Sequence, residues 1–154
     1  MVSERFSARA GWIAACVAVL VPVFGTNVAG QGSTNFVARL STVPIMVANQ
    51  DTVSGQGAAS ATLNGNRLTV SGKFEGLRSS ATVARIHLAP RGTRGQAIAD
   101  LVVSKGTSGT LEGTVELTSP QVQALNKSSL YIQIHSEKAP EGNLWGWLFP
   151  REAK

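Results

Sequence analysis

Eight short segments of this chain alternate apolar and polar residues with a period of two, with turn-forming residues between most of them. Such a period places successive side chains on opposite sides of an extended strand, giving each segment one face to bury. Phe36, Ala38 and Leu40 share a face in the first segment. Ala59 to Leu63 and Arg67 to Phe74 flank Asn64-Gly65-Asn66, residue types that tolerate positive φ and mark a hairpin turn. Further alternating segments run over Thr82–Leu88, Ala97–Val103, Thr110–Leu117, Leu130–His135 and Asn143–Phe149. The pattern predicts an all-β antiparallel β-sandwich of about eight strands. One short helix is expected at Pro120–Leu125, capped by Ser119 and with Pro120 at its first position. Val43–Gln56 has no clear period and reads as an irregular excursion.

The N-terminus bears on compartment. Arg5 and Arg9 precede an unbroken apolar run from Ala10 to Phe24, too short to span a bilayer comfortably but ordered as a secretory signal is, charge before apolar core. Small residues at Val28-Ala29-Gly30 place the expected cleavage near Gly30, leaving residues 31–154 as one domain. A secreted or periplasmic location follows, with no segment after the signal able to span a membrane. Ile13-Ala-Ala-Cys16 imitates a lipid-attachment site, but Val17 to Phe24 continues the apolar run past the cysteine that would normally close it. Cys16 is the only cysteine, so the mature chain would carry neither a disulfide nor a thiolate ligand.

Charge and motifs exclude several functions. Loss of Glu4, Arg5 and Arg9 lowers the formal net charge of +5 by one. Arg85, Arg91 and Arg94 cluster, but no aromatic residues interleave with them as a single-strand nucleic-acid groove requires, so the trio reads as a solvated basic loop. A hydroxyl or thiol nucleophile needs a base and an orienting group, and Ser136 beside His135 points to the other face by strand parity. Arg91-Gly-Thr-Arg-Gly95 joins two strands with no following helix to donate amides to a phosphate. The scattered glutamates show no pairing that favours glycoside hydrolysis. The expectation is a protein that is not an enzyme.

Two strand-end blocks carry a resemblance. Ala84-Arg85-Ile86-His87 is followed by Ala89-Pro90 and by Gly92 to Gly95, and Tyr131 to His135 is followed by Pro140-Glu-Gly-Asn-Leu-Trp-Gly146. With Leu68 to Phe74 and Leu117-Thr118, this text resembles the chordin-type (CHRD) domain family over about Phe36 to Phe149, as a stand-alone microbial member. That family's strands read roughly A-x-A-H-I-H and Y-x-x-I-H, the latter followed by P-x-G-x-x-x-G. The resemblance implies an immunoglobulin-like sandwich with a distant likeness to copper–zinc superoxide dismutase. In animal chordin the domain lies within an extracellular antagonist of growth-factor signalling, an activity that does not transfer to this chain.

Strand parity sorts the residues of those blocks. Ala84, Ile86 and Leu88, then Leu130, Ile132 and Ile134, then Leu144, Gly146 and Leu148 form the inward sets. Arg85 and His87, Tyr131, Gln133 and His135, and Asn143, Trp145, Trp147 and Phe149 therefore face outward. The resemblance implies a His-x-His pair with a later histidine as metal ligands, since imidazole suits copper and zinc. Arg85 stands where the first would be, and a guanidinium does not ligate. His87 and His135 remain as the metal candidates, two ligands against the three or four of a protein zinc site, with Glu137 or Glu141 as added carboxylates. No cofactor and no tight metal binding are expected; a histidine hydrogen-bond network is the simpler reading. Where the family commonly reads G-E-I-R-G-Q, this chain reads Gly142-Asn-Leu-Trp-Gly-Trp147, which turns outward polar positions into tryptophan. Trp145, Trp147 and Phe149, with Tyr131 and Arg85, are the candidate partner-binding residues, unless Ile45 and Met46 of the excursion cover them.

The function expected is a secreted, non-catalytic binding module with an extracytoplasmic protein or ligand as partner. Its alternatives are a superoxide-dismutase-like copper or zinc protein and a structural protein of envelope assembly. The mass of the exported protein tests the signal. It should correspond to a chain beginning near residue 31 with no lipid; a mass that retains Met1 to Val28, or a lipid on Cys16, contradicts the assignment.

Overall fold

The computed structural model describes residues 32–151. The signal, its cleavage site and Cys16 lie outside the described residues. Nine strands and one helix follow in the order β1 (Thr34–Thr42), β2 (Gln56–Asn64), β3 (Arg67–Glu75), β4 (Ala81–Leu88), β5 (Gln96–Val103), β6 (Gly109–Glu116), α1 (Ser119–Asn126), β7 (Leu130–Ser136), β8 (Ala139–Trp147) and β9 (Phe149–Pro150). Each of the eight expected strands is present. β9 is a two-residue continuation past β8 that pairs with Phe36 and Val37 of β1.

The sheet closes on itself. The strand order is β2-β3-β6-β5-β4-β7-β8-β1-β9, and β1 also pairs with β2, which makes an antiparallel barrel of eight strands with β9 as an addition. The sequence reading of a sandwich has the right strands and the wrong closure. Its basis is visible in two narrow seams: β5 and β6 share only Val102↔Glu112 and Val103↔Leu111, and β1 and β8 share only Ser41↔Trp145 and Thr42↔Leu144. Alternation within a strand reports which face is buried and says nothing of whether the last strand finds the first.

Inward parity holds. Phe36 and Leu40 of β1, Leu68 of β3, Ala84 and Ile86 of β4, Leu111 of β6, Leu130, Ile132 and Ile134 of β7, and Leu144 of β8 are all buried in the barrel. Leu125 of α1 joins that core. The helix starts one residue earlier than expected, with Thr118 as the cap and Pro120 in the first turn. The Thr118 amide donates to Gln121 Oε1 at 2.8 Å, so a glutamine three residues on satisfies one free amide of the helix start. The excursion between β1 and β2 is irregular, as its lack of period predicts.

At Gly146 the barrel wall leaves no room for a side chain, because an added Cβ would run into the carbonyl oxygen of Arg39 and press on Leu40. β8 therefore reaches the narrow β1 seam only with glycine there. Gly146→Ala is expected to lower stability by about 1–3 kcal/mol through overpacking, read as a fall in melting temperature, while Ser60→Ala on the exposed face of β2 leaves it nearly unchanged. Equal melting of the two variants contradicts the close packing.

Candidate functional site on the outer face of β4, β7 and β8

A second buried layer lies outside the barrel. Every residue of β7 is buried, which a half-exposed strand cannot achieve. Of its outward side chains, Tyr131 packs with Val43, Val53, Ala89, Ala139, Trp145 and Trp147 in a cluster separate from the barrel core, and Gln133 and His135 are buried beside it. The outward parity of Tyr131, Gln133, His135, Asn143 and Trp145 is right, and the inference that outward means accessible is corrected. Tyr131 and Asn143 have no exposed surface, and His87 and His135 each keep 8 %.

Loops make the cover. The ends of the excursion supply it through Val43 and Val53, whereas Ile45 and Met46, the residues expected there, are 58 % and 61 % exposed. Its tip is turned by Asn49, whose Oδ1 accepts from the Met46 amide at 2.7 Å and whose Nδ2 donates to the Pro44 carbonyl at 3.1 Å. Asn143 anchors both ends of the loop. Its Oδ1 accepts from the Ser54 amide at 3.1 Å, its carbonyl accepts from the Val43 amide at 3.0 Å, and its Nδ2 donates to Ser136 Oγ at 3.0 Å. On the other side, the β4–β5 loop covers the aromatic end: Trp147 Nε1–H donates to the Ala89 carbonyl at 3.2 Å and the Gly95 amide donates to Tyr131 Oη at 3.1 Å.

The polar groups of this layer depend on an irregularity in β8. Ile134 pairs with Leu144 and Ser136 with Ala139, so His135 alone on β7 stands opposite Pro140 to Asn143. This wide bulge turns backbone carbonyls across the outer face. The Pro140 carbonyl accepts from His135 Nδ1 at 2.8 Å, and the Glu141 carbonyl accepts from Gln133 Nε2 at 2.9 Å and from Arg94 Nη1 at 2.6 Å. Gly142 sits in the bulge at φ +124°, where a Cβ would strike the Gln133 amide. Sequence parity could not locate the bulge; the Pro-Glu-Gly text was its only signal.

The two histidines meet across this surface. His87 lies opposite Tyr131, while His135 lies opposite Val83, so four residues of register separate them, roughly 13 Å along the strands. Their ring centroids are nevertheless 6.2 Å apart, because both side chains lean toward each other over the Arg85–Gln133 pair. Each ring is held by a backbone carbonyl: His87 Nδ1 donates to Gly95 O at 2.9 Å as His135 Nδ1 does to Pro140 O. The Nε2 atoms of both are buried and have no protein partner. Tyr131 stacks on His87 at 4.9 Å and 17°, meets Trp147 at 4.9 Å, and takes Trp145 edge-on at 6.0 Å. Arg85 turns from this cluster to Asp100, Nε to Oδ1 at 2.9 Å, an exposed pair that adds little to stability.

The residues singled out as a partner surface thus divide. Tyr131 and Trp145 are interior packing, Trp147 is half-buried, and Phe149 is 37 % exposed with the Arg91 guanidinium 4.5 Å above its ring. Among the described residues no three or more His, Cys, Asp or Glu side chains converge as a metal site, so neither Glu137 nor Glu141 completes a set with the histidines. No described helix is long and apolar enough to cross a membrane.

A closed all-β domain whose outer face is a loop-covered aromatic and histidine layer is the class this geometry defines. The CHRD domain family model matches residues 36–148, most of the chain, and the protein belongs to that family. No curated protein and no solved structure matches the chain.

Burial holds the His135 pKa below the ordinary 6.5; the hydrogen bond to Pro140 opposes this, the charges of Arg85 and His87 add to it, and Glu141 opposes it. A ring that folding keeps neutral binds fewer protons than the same ring unfolded. Its contribution is therefore complete above about pH 6.5 and is lost as pH falls below that value toward the folded pKa. Melting temperature should decline between pH 7.5 and 5.5, with a shallower decline in His135→Gln. Parallel profiles for the two proteins contradict the assignment.

Proposed function

We propose that this CHRD domain is a secreted, non-catalytic interaction module that meets an extracytoplasmic protein through the rim formed by Trp147, Phe149 and Arg91. The observation that carries the reading is the Phe149 ring, which stays 37 % exposed beneath the Arg91 guanidinium, beside the exposed Pro150 of its own strand and the exposed Val37 that pairs with it. Aromatic residues and arginine are the types enriched at binding hot spots, where a rigid ring supplies contact area at little cost in side-chain entropy. Tyr131 and Trp145 serve this surface from below: they pack edge-to-face and fix the Trp147 ring, which contacts both at 4.9 and 4.8 Å. Family membership supports a binding role, and the signal-like N-terminus supports export.

Joint replacement Phe149→Ser with Arg91→Ser tests this. The pair should leave melting temperature within about 2 °C, as surface changes outside a core do, and should abolish capture of a saturable partner from an extract of the producing cells' exterior. Trp145→Gln, by contrast, should lower stability by about 3 kcal/mol or more. A partner profile that survives the rim replacement contradicts the proposed surface.

A further inference from the structure

We propose that His87 and His135 form a two-coordinate site for a soft univalent cation, copper(I), held between their Nε2 atoms. The inference starts from an unsatisfied pair. A backbone carbonyl can only accept, so Gly95 and Pro140 fix the proton of each neutral ring on Nδ1 and leave a lone pair on Nε2. Both Nε2 atoms are buried without a protein donor, in rings that are more than nine-tenths covered. Buried polar groups in folded proteins nearly always have partners. The rings that carry these two lone pairs come within 6.2 Å of each other, centroid to centroid, so that one occupant could serve both.

Coordination number decides what that occupant is. Zinc in proteins takes three or four protein ligands, and among the described residues no third ligand converges. Univalent copper has a filled d shell and accepts two donors in line, and imidazole is among its donors. The spacing agrees. With about 1.15 Å from ring centroid to nitrogen and ~2.0 Å from nitrogen to metal, a linear arrangement in which each Nε2 faces the other puts the centroids roughly 6.3 Å apart, against roughly 5.1 Å at a tetrahedral angle. The observed separation is 6.2 Å.

The charges around the site leave room for no more than one positive charge, because Arg85 acts on His135 ahead of the opposing Glu141. Arg85 lies near enough to act on His135 and would repel a cation, but Asp100 pairs with its guanidinium, and Glu141 acts on the same ring with opposite sign. The carbonyl that each Nδ1–H donates to orients its ring and raises the basicity of the other nitrogen, which is how ligating histidines are supported from behind. The site is separate from the Phe149 rim, so either reading can fail without the other.

A buried water donating one hydrogen to each Nε2 is the rival occupant, and the experiment separates the two. The folded protein as its producing cells yield it is titrated anaerobically with copper(I) against a chromophoric chelator, and with silver(I) as a redox-inert probe. One ion per chain should bind with submicromolar affinity, and in the unmodified protein the ¹⁵N resonances of both Nε2 atoms should move while those of Nδ1 stay. His87→Gln and His135→Gln should each weaken binding at least ~10-fold. Arg85→His, which removes a cation and adds an imidazole to the same strand face, should tighten it. Absence of stoichiometric uptake, uptake that leaves the Nε2 resonances in place, or zinc bound as tightly as copper(I) overturns the proposal. Because the resonance measurement needs no variant, misfolding of a histidine replacement does not shield the idea.

Discussion

The outer face of this domain rests on one irregularity, the bulge that sets Pro140 to Asn143 of β8 against the single residue His135 of β7. A regular ladder would spend the carbonyls of Pro140 and Glu141 on strand pairing. Released from it, they accept from His135, Gln133 and Arg94, which is what allows His135 and Gln133 to be buried on the outside of a barrel. The same displacement delivers Asn143 to the point where its side chain and backbone hold both ends of the excursion. Without the bulge, Val43 and Val53 would have no fixed seat over Trp145, and the outer layer would open to water.

Two layers of different character share the strands β7 and β8. The inner one is mainly aliphatic, with Phe36 and Phe74, has no polar member, and is read by parity. The outer one is aromatic and polar, and its order comes from directed bonds: a ring nitrogen to a carbonyl, an indole to Ala89, a phenol to Gly95. Such groups are costly to bury unpaired, so nearly every one of them has a partner supplied by a loop. The two histidine Nε2 atoms are the departure from that rule, and a departure inside an otherwise complete network is more informative than an unpaired group on a loose surface.

Much of this was legible in the sequence and some was not, for reasons that differ by residue. The inward sets, such as Ile132 with Leu144, followed from period two alone. The family was legible from a different source, the resemblance of motif text concentrated in the strands that carry the histidines and the bulge. What failed was the step from outward to exposed: parity gives the side of a sheet, while cover depends on where distant segments such as Val53 and Ala89 return, and no local pattern encodes that. The expectation of Ile45 and Met46 as cover chose the bulkiest residues of the excursion. The structure uses its ends instead, because those are tethered to Asn143 and the tip is not. Barrel closure escaped for a related reason, since only two residue pairs join β1 to β8.

That narrow seam also sets what it takes for the chain to become a finished object. β1 pairs along most of its length with β2, its neighbour in sequence, and finds β8 only through Ser41 and Thr42. β1, β2 and β3 pair through neighbours in sequence and need only short connections, whereas the seam with β8 joins strands far apart in the chain. Closure across roughly a hundred residues of chain is an encounter with a large loop entropy and few bonds to reward it. The barrel is therefore complete only where its two ends meet, and the Val43 cover over the outer layer sits immediately beside that seam.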